Sequence, residues 1–234
     1  MTEVSYETRR SELKTYFDRT AKDNWVALTS NSPVSRIRQT VRAGREEMRN
    51  TLLNWLPEDL RGARLLDAGC GTGMLSIEAA RRGADVVAID ISPELVAEAA
   101  NRVPSDIPPN AITFMAGDMS DPTLGAFDYI VAMDSLIHYP LESMTRLLAG
   151  FAPRARERIL FTFAPKTPAL SVMKAVGKVF PRNDRSPAIE PVAEHALISA
   201  INNSLTHNFG YRVNRTKFVT TKFYKSEAME LINS

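Results

Sequence analysis

Apolar residues along this chain follow two periods, and the change from one to the other outlines the architecture. From Arg36 to Leu56 the positions Ile37, Val41, Met48, Leu52 and Leu56 keep near-helical spacing, with Arg36, Arg38, Arg42, Arg45 and Arg49 among them. Residues 5–29 read as an N-terminal helical arm carrying Tyr16, Phe17 and Trp25, followed by the loop TSNSPVS with Pro33 as its breaker. After Leu56 the period shortens. Apolar runs at 63–69, 85–90, 111–118, 127–134 and 158–164 have the length and composition of strands. Between them 73–83, 92–102 and 141–151 keep helical spacing, and Ser92-Pro93 combines a good N-cap with proline at the first helical position. Strand and helix alternating at this interval predict a parallel sheet with helices on both faces. Ligands of such sheets bind beyond the C-terminal strand ends, which is where Asp67, Asp90, Asp118 and Asp134 fall. Further on, 168–180 is a helical candidate with Val172, Met173, Val176, Val179 and Phe180 on one face and Lys174 and Lys178 opposite. Residues 181–191 read as a loop, 192–207 as helix, and 211–219 with 221–227 as a closing hairpin.

Composition bounds this picture without redrawing it. The chain has 234 residues, 44% hydrophobic and 24% charged, enough for one large α/β domain or two small ones. A single cysteine allows no internal disulfide, no Cys/His spacing resembles a zinc site, and a reducing compartment fits. The first residues, MTEVSYETRRSELK, lack the apolar core of a signal peptide, and no run approaches the ~18 apolar residues of a membrane span. The expectation is a cytoplasmic protein, soluble or peripheral to a membrane. Charge is unevenly distributed: residues 1–64 carry 12 basic and 9 acidic side chains, 65–150 carry 4 and 12, and 151–234 carry 13 and 6. Two basic flanks around an acidic centre suit an anionic ligand, ordinary solvated helix faces being the plainer alternative.

The chemistry begins at LLDAGCGTG, residues 65–73. Glycines let the backbone turn from strand to helix and approach a ligand closely. A dinucleotide loop would read G-x-G-x-x-G, whereas here Gly69, Gly71 and Gly73 give G-x-G-x-G and Met74 takes the third glycine's place. No Walker lysine follows. Asp67, two residues before the first glycine, fits poorly beside a pyrophosphate and well beside a ligand with a cationic end.

On these residues the chain resembles the class I S-adenosylmethionine-dependent methyltransferases, whose first motif is matched by Asp67 to Gly73. The resemblance implies a Rossmann-like fold with a seven-stranded, mostly parallel sheet whose last strand is antiparallel. It also implies that the loop of Asp67, Gly69, Gly71 and Gly73 holds the methionine part of the cofactor. Asp90 would take the ribose hydroxyls, Ile91 would lie on the adenine, and Asp118 with Met119 would flank its amino edge. Asp134, ending the fourth strand, completes the expected cofactor set. Cys70, inside the turn, reads as a small packing residue rather than a nucleophile.

The acceptor is read from outside this core. The chain lacks an Asn-Pro-Pro-Tyr-like or Asp-Pro-Pro-Tyr-like motif after the fourth strand, which argues against nucleic acid. It carries Asp134-Ser-Leu-Ile-His138-Tyr139-Pro140, as small-molecule methyltransferases do, quinone-ring O-methyltransferases among them. Together with Tyr16-Phe17-Asp18-Arg19-Thr20, Trp25, the helix bearing Arg36 to Arg45, and Phe163-Ala164-Pro165-Lys166-Thr167-Pro168-Ala169-Leu170, this resembles the magnesium-protoporphyrin IX O-methyltransferases across nearly the whole chain. One departure is the stretch after Trp25, less basic and less aromatic than in the cyanobacterial and plant members. The implied reaction esterifies a propionate of the Mg-porphyrin in chlorophyll and bacteriochlorophyll synthesis, with magnesium present only as part of the substrate. The implied partners are the large subunit of magnesium chelatase and the photosynthetic membrane surface. His138, with Tyr139, is then expected to hold an already ionised carboxylate in line, axial approach of its imidazole to magnesium and a purely structural role being the alternatives. Arg36, Arg38, Arg42 and Lys166 are candidates to neutralise the propionate edge, and Tyr16, Phe17 and Trp25 to stack on the ring. Residues 1–56 would form the arm and helix covering the active site, 57–234 the core, and 165–190 a substrate-side insertion. The rivals are another small-molecule O-methyltransferase, such as a quinone-ring enzyme, and a non-catalytic porphyrin carrier.

Overall fold

The computed structural model describes residues 6–17, 36–166 and 189–233. Trp25, the 168–180 helix and most of the 165–190 insertion lie outside them. Seven strands form one sheet in the order β3-β2-β1-β4-β5-β7-β6. They are β1 (Arg64–Ala68), β2 (Asp85–Asp90), β3 (Ile112–Ala116), β4 (Phe127–Ala132), β5 (Ala155–Phe163), β6 (Tyr211–Thr220) and β7 (Lys225–Asn233). The first five run parallel, and β7 enters antiparallel between β5 and β6. Helices α1 (Tyr6–Tyr16), α2 (Arg36–Trp55), α3 (Met74–Arg81), α4 (Pro93–Asn101), α5 (Leu141–Phe151) and α6 (Glu194–Ile201) complete the frame.

Alternation along the central strands explains the two cores. Leu66, Val87, Ile89, Ile130, Ile159 and Phe161 face one side, where α5 and α6 pack with Met144, Leu148, Leu197 and Ile201. Leu65, Val86, Ala88, Val131 and Leu160 face the other, against Met48, Leu52 and Leu56 of α2 and its end and Leu75 and Ile77 of α3. Strands buried on both faces lose the polar alternation of a half-exposed strand, hence their continuous apolar runs. The arm divides between the faces. Leu13 of α1 joins the α5 side, and the C-terminal half of α2 is core on the opposite side. The two arm helices therefore reach the strand ends from opposite faces of the sheet.

The hairpin reading needs one correction. Its second strand spans Lys225–Asn233 rather than 221–227, and residues 221–224 form the turn. The sequence obscures this strand because Glu230 interrupts it. Folded, Glu230 is fully buried, with Arg158 at 3.2 Å and Arg215 at 2.6 Å supplying its counter-charge. Where the insertion leaves and returns, Lys166 donates its backbone N–H to Val192 at 2.9 Å and Val192 donates to Ala164 at 2.8 Å, so its two ends meet beside the end of β5.

Gly44 sets how closely α2 approaches the β6–β7 turn. A Cβ added there would stand 2.6 Å from Cδ1 and 2.9 Å from Cβ of Tyr224. The Tyr224 hydroxyl is tied at its far end to Asp134, at 2.9 Å, so the ring has little room to yield. Gly44→Ala is expected to destabilise the protein by about 1–3 kcal/mol, the usual cost of overpacking, read as a lower urea midpoint at unchanged m-value.

Candidate active site

A cavity of about 300 Å³ opens beyond the C-terminal ends of β1, β2 and β4. Its floor is the glycine loop. Gly69 and Gly71 sit at φ 88° and 54°, a left-handed region that costs glycine little. Gly69 and Cys70 donate backbone N–H bonds to the Ile89 carbonyl at 2.8 and 3.0 Å, fixing the loop over β2. At Gly69 a Cβ would lie 2.4 Å from the Cβ of Ser135, so no side chain fits between the loop and the segment after β4. Gly73, at φ 75°, caps the start of α3 and lies behind the cavity wall rather than in it.

The acids differ in role. Asp67 is buried under the loop and accepts from Ser76 Oγ at 2.6 Å. Burial, with the Asp90 charge adding to it, pushes its carboxyl up to about 7. Asp90 accepts from the backbone N–H of Gly71 and of Ser92, both at 2.9 Å, and lines the cavity beside Ile91. Asp118 receives the Tyr6 hydroxyl at 2.6 Å, the Arg10 guanidinium, and the Ser120 N–H and hydroxyl at 2.8 and 2.7 Å. Burial alone would raise its carboxyl, but these donors hold it below the usual range. Asp118 therefore latches the arm as well as lining the cavity with Met119. Asp134, expected among the cofactor contacts, has a structural role as well. It lines the wall, yet its carboxylate is spent inward on Arg45 at 2.6 Å, Tyr224 at 2.9 Å and Ser226 at 3.4 Å.

The arm closes the site with one face of α1. Tyr6, Arg10, Leu13 and Phe17 all line the cavity, spaced as one helical stripe. Arg9 holds the same helix to Glu190 at 3.2 Å. Tyr139, buried, stacks on Tyr6 with centroids 5.4 Å apart, and burial raises its phenol so that it stays protonated at neutral pH. His138, only 8% exposed, stands edge-on to Phe17 at 6.2 Å. Burial pushes the Cys70 thiol up, which disfavours the thiolate that a nucleophile needs.

Of the arginines read from sequence, Arg42 lines the cavity, whereas Arg36 and Arg38 lie exposed on the first turn of α2. Lys166 is exposed beside the insertion, and Tyr16 packs edge-on to Phe17 outside the cavity wall. Sequence reasoning missed Tyr6, Arg10, Arg45 and Arg49 as site residues. The signal was present in the spacing: Arg42, Arg45 and Arg49 repeat at three and four residues, one side of a helix.

Fold and loop together define a class I S-adenosylmethionine-dependent methyltransferase, and a methyltransferase domain model matches residues 65–156. The model described as magnesium-protoporphyrin IX methyltransferase C-terminus matches residues 132–233. Magnesium-protoporphyrin O-methyltransferase of Rhodobacter capsulatus is 46% identical over 226 residues, covering 96% of this chain and 97% of that one. The crystal structure of magnesium protoporphyrin IX methyltransferase from Synechocystis PCC 6803 with bound SAH superposes at TM-score 0.83 and 30% identity, covering 96% of this chain and all of that one. The chain belongs to the magnesium-protoporphyrin IX methyltransferase family. A ubiquinone biosynthesis O-methyltransferase of Xanthomonas oryzae is 34% identical over 125 residues, about half of each chain.

The raised carboxyl of Asp67 gives a pH dependence of known sign. Because its folded pKa lies above the unfolded value, its contribution to stability is fully present below about pH 4 and is lost as pH rises through about 7. Asp67→Asn should flatten that part of the profile, measured as the difference in unfolding free energy between the two proteins from pH 4 to 8. Parallel profiles would show that Asp67 does not titrate there.

Proposed function

We propose that this protein transfers the methyl group of S-adenosylmethionine to a propionate carboxylate of Mg-protoporphyrin IX, giving the monomethyl ester. The observation that carries the reading is one cavity that joins the glycine loop, Asp67 and Asp90 on one side to His138, Tyr139 and Arg42 on the other. The residues fit the cofactor: Gly69, Gly71, Asp90 and Ile91 line one cavity with backbone and acids, and buried Asp67 lies where a cationic end would rest.

In this proposal Asp90 takes the ribose, Ile91 the adenine face, and Asp118 with Met119 the adenine edge. The bound cofactor supplies a methyl group already activated on its sulfonium. What remains for the protein is alignment and exclusion of water. The α1 stripe, with Leu13 and Phe17 facing the cavity, closes the site against solvent. A propionate, like a glutamate side chain, has a pKa of about 4.3 and is ionised at neutral pH. No base is needed, so His138 holds the carboxylate in line and Tyr139 helps as a neutral hydrogen-bond donor. Arg42 offers a counter-charge to the propionate edge, with Arg36, Arg38 and Lys166 further out. Tyr16, Phe17 and Trp25 are assigned to the porphyrin face. Family membership extends the proposal to handover from the large subunit of magnesium chelatase and to work at the photosynthetic membrane. No helix among the described residues is long and apolar enough to cross a membrane. The quinone-ring alternative is supported over about half the chain, the porphyrin reading over nearly all of it.

Turnover of S-adenosylmethionine with Mg-protoporphyrin IX tests the proposal. His138→Ala and His138→Gln are expected to bind both ligands and to lose about 100-fold in kcat through misalignment, with no new pH dependence. Recovery of the variants at alkaline pH would instead identify His138 as a base. Methylation of a phenolic quinone precursor with no porphyrin ester formed would overturn the substrate.

A further inference from the structure

Among the described residues, the arginines of the α2 stripe differ in how they are engaged, and Arg49 is the one whose Nε is buried without a hydrogen-bond partner. Arg45 is committed to Asp134 at 2.6 Å. Arg49 lines the same cavity as Cys70, Gly71, Thr72 and Met74, it feels the charge of Glu78 on the helix that follows them, and its Nε is buried without a hydrogen-bond partner among the described residues. Burial lowers its affinity for the proton, with only the charges of Glu46 and Glu78 opposing. A buried guanidinium nitrogen without an acceptor costs free energy that an anion would return. The ligand's own chemistry indicates which anion. If the ribose is at Asp90 and the adenine at Asp118, the amino-acid end of the cofactor lies over the glycine loop. That end is a zwitterion. Asp67 under the loop matches its ammonium, and nothing in the loop carries a positive charge for its carboxylate.

Resting on the cofactor site proposed above, we infer that Arg49 binds the cofactor's carboxylate. It thereby makes the site selective for a cofactor that retains this group. In that role α2 serves cofactor and substrate from one face, with Arg49 at the methionine end, Arg45 bracing the wall and Arg42 toward the acceptor.

The test uses S-adenosylmethionine and decarboxylated S-adenosylmethionine, which differ only in the carboxylate and keep the sulfonium and the amine. Binding is measured by calorimetry, without porphyrin, on wild type, Arg49→Gln and Arg49→Lys. The expected wild-type preference for S-adenosylmethionine is about 10- to 100-fold, the range of a charge-assisted hydrogen bond. Arg49→Gln should abolish it by weakening S-adenosylmethionine alone, and Arg49→Lys should restore part of it. Equal weakening of both ligands would mean that Arg49 only supports the fold, and an unchanged preference would place the carboxylate elsewhere; either result overturns the inference. If the wild type binds neither ligand, the cofactor site itself is wrong and the inference falls with it. Wild-type binding of both without preference leaves the site standing and removes Arg49 from it.

Discussion

The buried carboxylate of Asp134 is the constraint on which the site depends. An ion this deep is costly unless partners replace its water. Here the partners come from three separate parts of the chain: Arg45 from α2, Thr162 from β5, and Tyr224 with Ser226 from the β6–β7 turn and β7. Asp134 itself adopts φ 54°, a left-handed conformation that aspartate tolerates better than most residues. The backbone turn thus aims the side chain inward while the chain proceeds to His138 and Tyr139. One charge locks the arm helix, the C-terminal hairpin and the segment bearing the proposed catalytic residues into a single geometry. Gly44 belongs to the same arrangement, since only a residue without a side chain lets α2 approach Tyr224 so closely.

A second carboxylate, Asp118, does for α1 what Asp134 does for α2. Its partners Tyr6 and Arg10 lie one turn apart, so a single helical face both latches and lines the cavity. The contrast is in burial. The Asp134 side chain is 2% exposed, whereas Asp118 and Arg10 are 19% and 37% exposed, so water competes more effectively for the α1 latch. Of the two described arm helices, α2 is therefore held more firmly by Asp134 than α1 is by Asp118.

The core was legible because its physics is local. Strands sandwiched between helices appear as apolar runs. Ser92 and Pro93 mark the start of α4 by their own backbone preferences, and Ser92 Oγ accepts the Leu95 N–H as a cap should. The glycine loop was legible because a sharp left-handed turn at a strand end restricts residue type directly. β7 was harder to read because its identity as a strand depends on Glu230 finding Arg158 and Arg215, residues 72 and 15 positions away in sequence.

Sequence by itself determined the class of fold, the glycine loop and the acids at the strand ends, since periodicity, glycine and charge at fixed offsets act over a few residues. It also supplied the basic helix as a pool of candidates. Only the tertiary structure divided that pool, exposing Arg36 and Arg38, pairing Arg45 and placing Arg49 in the cavity wall with its Nε unpaired among the described residues. Likewise only the folded chain turned Asp134 inward and brought Tyr6 and Arg10 onto Asp118, 112 and 108 positions away. The reason is general. Which charges are buried, and which of those are already satisfied, depends on groups brought together by packing, and no local pattern records that.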